Sequence, residues 1–199
     1  MDERPARVEL ILASASPRRA ELLASAGYTF DVQTADVDES VQPGEGPEIY
    51  VLRVARAKAH AVATGTPQSG SRVLAADTTV VVDGQIFGKP ADQADAARML
   101  TALAGRMHDV LTAVVVVSGD HAESEVVRTR VHFLPMTRAD VDWYVGTGEP
   151  VGKAGAYAIQ GRGGRFVDWI EGSWSNVVGL PVATVWQLLR RTERPSATP

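Results

Sequence analysis

The chain has 199 residues, 45% hydrophobic and 22% charged, with a formal net charge of −4 and no cysteine. This composition fits one soluble domain with a substantial core and excludes disulfides and thiolate metal sites. The acidic balance argues against a general nucleic-acid coat or a binder of anionic membranes, and no apolar run is long enough for a signal peptide or a membrane helix, so we expect a cytoplasmic protein whose basic sites are local.

Short apolar runs bounded by turn residues predict strands along the whole chain. The runs His108–Val117 and Ala122–Leu134 are joined through Ser118-Gly119-Asp120-His121 and predict a long β-hairpin. The predicted strands cover Val8–Ala13, Thr29–Gln33, Arg72–Val82, Gln85–Phe87, His108–Val117, Ala122–Leu134, Arg165–Ile170 and Ser175–Val178.

Capping residues and apolar periodicity predict helices between these strands. Ser16 is the predicted N-cap of the first helix, with Pro17 at its first position, and Thr137 with Asp140 predicts a capping box. The predicted helices cover Arg19–Ala26, Pro47–Thr64, Ala91–Ala104, Thr137–Val145 and Pro181–Arg191.

Alternating strands and helices, with two hairpins, predict an α/β fold built on a mixed sheet flanked by helices. We expect one domain over residues 1–191. The remaining segment, residues 192–199 with the sequence TERPSATP, has the composition of a disordered tail.

The first strand–turn–helix segment, LILASASPRRAELLASAG, places Arg18 and Arg19 in the first turn of a helix. The free N–H groups and dipole of a helix start favour acidic residues there, so two arginines are the wrong sign for the helix alone. A tight turn of small residues before a helix is a common phosphate cradle, to which Ser14 and Ser16 can add hydroxyl donors. The alternative is that both arginines are exposed helix residues; their charge favours phosphate binding.

Lys58 lies on the apolar face of the second predicted helix, in one stripe with Val51, Ala55 and Val62. An unpaired buried ammonium group is costly. The side chain therefore either extends to the edge of the apolar surface or points into a polar cleft, toward an anion or a carboxylate.

Asp77 interrupts an otherwise apolar strand in the segment VLAADTTVVVDGQIFGKP. A carboxylate in this setting is typical of a metal ligand, a base or half of an ion pair, the alternative being a structural hydrogen-bonding Asp. Lys89 follows the short return strand and can reach the same end of the sheet. A carboxylate with nearby lysines and arginines suits triphosphate chemistry with Mg²⁺.

The segment GTGEPVGKA is similar to a phosphate-binding loop of the Walker type, but two positions exclude that interpretation. Thr147 stands where the first glycine is required, and Ala154 stands where Ser or Thr must follow the lysine. The four histidines lack metal-ligand spacing, and we interpret them as structural.

Six motifs occur in the order LILASASPRR, DVDES, RVARAKA, AADTTVVVDGQIFGKP, KAGAYAIQG and VVGLP. Together they resemble the Maf family of nucleoside-triphosphate pyrophosphatases over about residues 10–191. The resemblance implies the fold of the inosine-triphosphate pyrophosphatase (Maf/Ham1) type, with two lobes around a cleft. It also implies cleavage of a nucleoside triphosphate to a monophosphate and pyrophosphate with a divalent metal, Mg²⁺ or Mn²⁺, by a protein that can form a homodimer.

The resemblance also assigns roles to individual residues. Asp77 is the implied catalytic base and, with Glu39, the implied metal ligand. The residues implied to bind the phosphates are Ser14, Arg19, Lys58 and Lys89, and those implied to select the base are Arg18, Thr78 and Gln160.

KAGAYAIQG is similar to the branch of the family that acts on dTTP and UTP. The amide of Gln160 suits this role, because one amide can pair with both a carbonyl and the adjacent N3–H of uracil or thymine, and cytosine reverses that pattern. Two alternatives stay open: the sister branch that acts on 7-methyl-GTP, and a non-enzymatic nucleotide-binding regulator of septum formation. Neither nucleic acid nor membrane is an expected partner.

Overall fold

The structure, a computed structural model, describes residues 10–65 and 71–192. Its strands are β1 (Leu10–Ala13), β2 (Asp31–Gln33), β3 (Arg72–Val82), β4 (Gln85–Phe87), β5 (Met107–Ser118), β6 (His121–Phe133) and β7 (Val167–Glu171). Its α-helices are α1 (Pro17–Ser25), α2 (Pro47–Gly65), α3 (Gln93–Leu103), α4 (Arg138–Gly146), α5 (Trp174–Val178) and α6 (Val182–Arg191). Short 3₁₀ segments cover Ala154–Ala156 and Arg162–Phe166.

The described strands form one sheet in the order β2–β1–β3–β5–β6–β7. The first three run parallel, whereas β3, β5, β6 and β7 are joined by antiparallel pairing, and β4 folds back antiparallel on the end of β3. The predicted mixed α/β sheet is confirmed, and so is the long hairpin, which pairs β5 with β6 over its full length.

Helices cover both faces of the sheet because its strand residues alternate in direction. Ile11 and Ala13 face α2 in one apolar cluster, whereas Leu10 and Leu12 face α1 and α6 in another. A third cluster lies at the other end of β3 and β5, where α3 and α4 pack around Phe133. Lys58 and its apolar neighbours Val51, Ala55 and Val62 therefore lie on the face of α2 that packs against the sheet.

The predicted strand at Ser175–Val178 is wrong: this segment forms helix α5. The side chain of Ser173 accepts a hydrogen bond from the backbone N–H of Asn176 and caps the helix. The buried amide of Asn176 in turn donates to the carbonyl of Val110 and the hydroxyl of Thr129. Local capping and this tertiary anchor outweigh the strand propensity of the two valines.

The ends of the elements differ from prediction in small ways. Ser16 is the N-cap residue of α1, but its side chain makes no capping hydrogen bond; its backbone N–H donates to the hydroxyl of Ser14 instead. The capping box of Thr137 and Asp140 is present as predicted. Thr192 is buried and follows α6 as its C-cap, while residues 8–9 and 193–199 lie outside the described part of the chain.

Across residues 10–65 and 71–192, no helix combines the length and the apolar character needed to cross a bilayer.

Candidate active site

The site lies at a gap in the pairing of β3. Strand β1 pairs with this strand as far as Ala75, and β4 pairs with it from Val80 onward. Between these points, Asp77 and Thr78 have a neighbouring strand on the β5 side alone. Because β1 and β4 approach the gap from opposite directions and both end there, the chain following each strand enters the same cleft. A ligand site at the carboxyl ends of strands, where the strand order changes direction, is typical of α/β sheets.

The cleft has a volume of about 380 Å³, within the range of small-molecule sites. All nine candidate residues from the sequence line it: Ser14, Arg18, Arg19, Glu39, Lys58, Asp77, Thr78, Lys89 and Gln160. The structure thus brings together residues from opposite ends of the chain, whereas their individual roles stay predictions.

Lys58 is the centre of a buried ion-pair cluster. Its Nζ lies 2.7 Å from Oδ1 of Asp77 and 2.6 Å from Oε1 of Glu39, and the residue is 8% exposed. Of the two alternatives for this lysine, the polar cleft is confirmed. An ammonium group has three N–H donors, so one remains for a ligand after both carboxylates are bound.

Glu39 connects this cluster to Lys89, whose Nζ lies 3.2 Å from Oε2 of the carboxylate. Burial raises the pKa of Glu39, but the hydrogen bond and charge of Lys58, together with Lys89, outweigh burial and hold that pKa below its ordinary value. Glu39 is therefore an ionised carboxylate bridging two lysines. Lys89 is more exposed than Lys58, so it is the more adaptable cation of the two.

Helix α2 places Glu39 by holding the acidic loop that carries it. The hydroxyl of Tyr50 donates to the carbonyl of Glu39 at 3.0 Å. One turn further along, Arg53 binds both carboxylate oxygens of Glu45 and the carbonyl of Ser40. Burial, followed by the charges of Asp77 and Glu39, raises the pKa of Tyr50 to about 12, so Tyr50 stays a hydrogen-bond donor.

Arg19 forms hydrogen bonds to three separate segments of the chain at the cleft. Its Nε donates to the carbonyl of Gly179 at 2.8 Å, its Nη1 to the hydroxyl of Ser14 at 3.2 Å and its Nη2 to the hydroxyl of Thr78 at 3.0 Å. Burial lowers the pKa of Arg19, partly opposed by the charge of Asp77, yet a guanidinium stays protonated. Two of its five N–H groups are not used in these bonds and are available to an anion.

The hydroxyl of Thr78 belongs to a directed chain of hydrogen bonds. Thr112 donates its single proton to the carbonyl of Asn176 at 3.2 Å, so Thr78 is the donor in the 3.0 Å contact between the two hydroxyls. Arg19 donates to Thr78. The carbonyl of Gly179, 3.4 Å away, is a second acceptor within reach of the Thr78 proton. Because both candidate acceptors of that proton belong to the protein, Thr78 offers the cleft an acceptor rather than a donor.

Arg18 and Lys153 form a second positive region of the cleft. Burial is the main factor that lowers the pKa of each group, and the charge of Arg18 lowers the pKa of Lys153 further. Within residues 10–65 and 71–192, neither side chain has a carboxylate within salt-bridge distance. The charge of Glu21 partly opposes the lowering of the pKa at Arg18, and the charge of Glu149 partly opposes it at Lys153. Two neighbouring cations without a direct ion pair favour the binding of an anion between them.

Sequence reasoning missed Lys153, Tyr50 and Tyr157, all of which line the cleft. Lys153 was set aside with the failed Walker-type pattern, although the KAGAYAIQG motif begins with it. Tyr157 is buried, and its hydroxyl lies 2.9 Å from Nε2 of His108. For Lys153 and Tyr157 the signal was the motif itself, whereas Tyr50 lies outside every motif and nothing in the sequence indicated its role.

The donor set of the cleft fits a hard divalent cation. Among the described residues, no group of three or more His, Cys, Asp or Glu side chains could hold a metal ion, which excludes a cage built from such protein groups in that part of the chain. Glu39 and Asp77 supply two carboxylates beside a cation-lined cleft, and Mg²⁺ is typically bound by one or two carboxylates together with substrate phosphates.

The fold and the site together define an α/β protein whose cleft suits a phosphorylated small molecule. A carboxylate–lysine cluster and further cations line this cleft at the ends of the strands. The sequence profile of the Maf-like protein family matches residues 9–192, and the chain belongs to this family.

Its relatives resemble it over nearly their whole length. A dTTP/UTP pyrophosphatase of Anaeromyxobacter dehalogenans is 56% identical over 190 residues, covering 94% of this chain and 95% of the relative. The dTTP/UTP pyrophosphatase of Myxococcus xanthus is 53% identical, with 94% and 93% covered. The solved structure of a HAM1 protein from Coxiella burnetii, at 16% identity and a TM-score of 0.41 over 64% of this chain and 73% of its own, is too distant to assign a fold.

Proposed function

We propose that this protein is a nucleoside-triphosphate pyrophosphatase that hydrolyses dTTP and UTP to the monophosphate and pyrophosphate. The observation that carries the proposal is the carboxylate of Asp77, which lies in a cleft lined by four basic side chains besides its partner Lys58. The names of relatives that match nearly the full chain at 51–56% identity, the one from Vibrio vulnificus included, support the same activity.

In this proposal, the phosphates are held by Ser14, Arg19, Lys58 and Lys89. Arg19 has two N–H groups and Lys58 has one that the protein bonds described above do not use, and Lys89 adds charge from the opposite side of the gap. Because these donors are already held by protein hydrogen bonds, they require little reorganisation as charge develops on the phosphates.

Asp77 acts as the general base. Its Oδ1 is held by Lys58, which fixes the carboxylate and leaves Oδ2 to accept a proton from a water molecule. The water oxygen forms a bond to the α-phosphorus, the bond from that phosphorus to the bridging oxygen breaks, and pyrophosphate leaves with the electron pair. The cations around the cleft balance the charge that accumulates on the leaving group.

Glu39 and Asp77 would hold a divalent cation, Mg²⁺ or Mn²⁺, together with phosphate oxygens. When bound, such an ion supplies Lewis-acid stabilisation of the phosphate charge. The protein contributes the carboxylates of Glu39 and Asp77, whose positions are already fixed by Lys58 and Lys89.

Base selection in the proposal falls to Arg18, Thr78 and Gln160. An acceptor on Thr78 suits a ligand N–H, and the amide of Gln160 offers both a donor and an acceptor. Uracil and thymine present an N–H flanked by carbonyls, whereas cytosine presents an acceptor at that ring position, so buried polar groups would stay unpaired against cytosine.

The deciding experiment is a substrate panel. Pyrophosphate release is measured with dTTP, UTP, CTP and 7-methyl-GTP, each with Mg²⁺ and with Mn²⁺. We expect turnover of dTTP and UTP in preference to the other two. Turnover confined to 7-methyl-GTP would place the activity in the sister branch, and nucleotide binding by calorimetry without hydrolysis would instead favour the non-enzymatic regulator.

The proposal also covers the setting of the enzyme: residues 1–191 as a single domain, a cytoplasmic location, and a homodimer without nucleic-acid or membrane partners. Light scattering of the purified protein checks the homodimer, since a mass near twice the 21.2 kDa of one chain is expected.

A further inference from the structure

We propose that Glu149 is a positioning residue for base selection: its carboxylate holds the turn that carries Gln160. The inference rests on the proposed function, in which Gln160 reads the base. Glu149 does not itself line the cleft, and its expected effect is therefore on which nucleotide is accepted rather than on the chemical step.

The carboxylate of Glu149 binds the turn directly on the side that follows Gln160. Its Oε2 accepts from the backbone N–H of Arg162 at 3.0 Å, and its Oε1 accepts from the backbone N–H of Gly163 at 3.0 Å. The residues that precede Gln160 are held through the side chain of Tyr144.

Tyr144 extends the same hydrogen-bond network to the residues before Gln160. Its hydroxyl donates to Oε1 of Glu149 at 2.7 Å and accepts from the backbone N–H of Ala158 at 3.1 Å. Tyr144 is fully buried in α4, so it is a fixed anchor. The backbone is thus held two residues before Gln160 and two residues after it.

The glycines of the turn show how closely its backbone lies against these anchors. A Cβ on Gly161 would lie 2.4 Å from Oε2 of Glu149, and one on Gly163 would lie 2.5 Å from the hydroxyl of Tyr144. Any side chain at either position would separate the turn from its anchors. The glycines are therefore required for close approach to Glu149 and Tyr144.

The side chain of Gln160 depends on this backbone for its direction. Its amide forms no hydrogen bond with any residue in the described ranges, 10–65 and 71–192, and the residue is exposed on the rim of the cleft. Because no protein hydrogen bond holds this amide, the backbone alone sets the point from which the side chain extends. A displaced turn would therefore misalign the amide with the base.

Glu149 is suited to this role because it is an ionised acceptor. Burial raises the pKa of Glu149, but the two backbone N–H groups and Tyr144 outweigh it and hold that pKa below its ordinary value. A carboxylate accepts at both oxygens, whereas the amide of a glutamine would turn an N–H₂ group toward one of the N–H donors. Glu149→Gln therefore removes a bond with little change in volume.

The test compares Glu149→Gln with the wild-type protein on UTP and CTP. We expect the ratio of kcat/KM for UTP over CTP to fall about tenfold, the equivalent of one charged hydrogen bond. The KM for UTP should rise and kcat should stay within about twofold, because the turn contacts the base and not the reacting atoms. Glu123→Gln on the distant hairpin is the matched control and should leave the ratio unchanged.

A double-mutant cycle separates positioning from general loosening of the fold. Gln160→Ala should lower the same ratio, and adding Glu149→Gln to Gln160→Ala should lower it no further. An unchanged ratio in folded Glu149→Gln, or effects that add fully in the double variant, would overturn the inference. If Glu149→Gln fails to fold, Tyr144→Phe removes only the hydroxyl and carries the same test. A wild-type protein that does not prefer UTP overturns the proposed function instead.

Discussion

The two ends of the cleft are built in different ways. At one end, which we term the charge-paired end, Glu39, Lys58, Asp77 and Lys89 neutralise one another through side-chain ion pairs. At the other, the backbone-built end, Arg18 and Lys153 lack a carboxylate partner in the described ranges, and Gln160 is carried on a turn held by main-chain hydrogen bonds.

This difference separates two tasks. A fixed network of opposite charges holds a base and its neighbouring cations in one geometry before a ligand arrives, which suits a chemical step. Unpaired cations and an unbonded amide gain their partners when a ligand arrives, which suits recognition. Changes at the charge-paired end should therefore affect kcat, and they should affect stability where a buried charge loses its partner. Changes at the backbone-built end should affect KM and selectivity.

The largest expected effect is that of Asp77→Asn. We expect kcat for dTTP to fall by about 10²–10⁴-fold, the usual contribution of a general base. The free energy of unfolding should change little, because the asparagine oxygen can still accept from Lys58. Steady-state kinetics and thermal unfolding check both expectations.

Asp83→Asn is the matched control for this change. Asp83 lies on the same β-hairpin, is exposed and pairs with Arg106 outside the cleft. Its substitution should leave kcat unchanged. A kcat for Asp77→Asn that stays within threefold of the wild-type value would show that Asp77 is not the base. It would also contradict the assignment of the chemical step to the charge-paired end.

The next effect compares the two lysines of the charge-paired end. Lys58→Met leaves the buried carboxylate of Asp77 without its ion-pair partner and leaves Glu39 with Lys89 alone. We expect a loss of about 3–5 kcal/mol in the free energy of unfolding. Lys89→Met removes an exposed pair and should cost less than about 1 kcal/mol. Denaturant unfolding measures both, and equal losses would show that the cluster is not anchored by Lys58.

The sequence predicted most of the sheet, and Lys58, Asp77 and Lys89 at the charge-paired end, because local patterns indicate them. Glu39 was assigned only through the resemblance to a family. An aspartate within an apolar strand and a lysine within an apolar helix stripe both indicate a polar cleft, and the hydrogen bond between Asp77 and Lys58 joins them. The helix at Trp174–Val178 was missed because its stability comes from Asn176, whose partners Val110 and Thr129 are distant in the chain.

The backbone-built end was predicted only in part: the charge at the helix start indicated Arg18, whereas Gln160 was predicted only through the resemblance to a family. Gln160 was assigned from a motif, but nothing in its neighbours indicated that Glu149 and Tyr144 hold the turn. Such contacts depend on how α4 packs against the following loop, and no periodic pattern in the sequence predicts that packing. Lys153 was missed for the same reason, because its role comes from proximity to Arg18.

Lys153→Met tests the backbone-built end, and its expected effect is smaller than those of the changes above. Removing one of two unpaired cations should raise KM for dTTP about tenfold, with kcat nearly unchanged. Added salt should narrow the difference, because the interaction is electrostatic. Arg138→Met on α4, which does not line the cleft, is the control. A fall in kcat with an unchanged KM would assign Lys153 to the chemical step and contradict the division.

The smallest expected effect concerns His108, which supports the backbone-built end through Tyr157. Burial lowers the pKa of His108 to about 3, far below its ordinary value of 6.5. The unfolded chain therefore binds a proton that the folded protein excludes, so the contribution is complete above pH 6.5 and declines as the pH falls. Relative to His108→Gln, which does not titrate but can still hydrogen-bond with the hydroxyl of Tyr157, the wild-type protein should lose ~0.7 kcal/mol more between pH 7 and pH 6. Denaturant unfolding at both pH values measures this difference, and parallel losses in the two proteins would mean that His108 is protonated in the folded state.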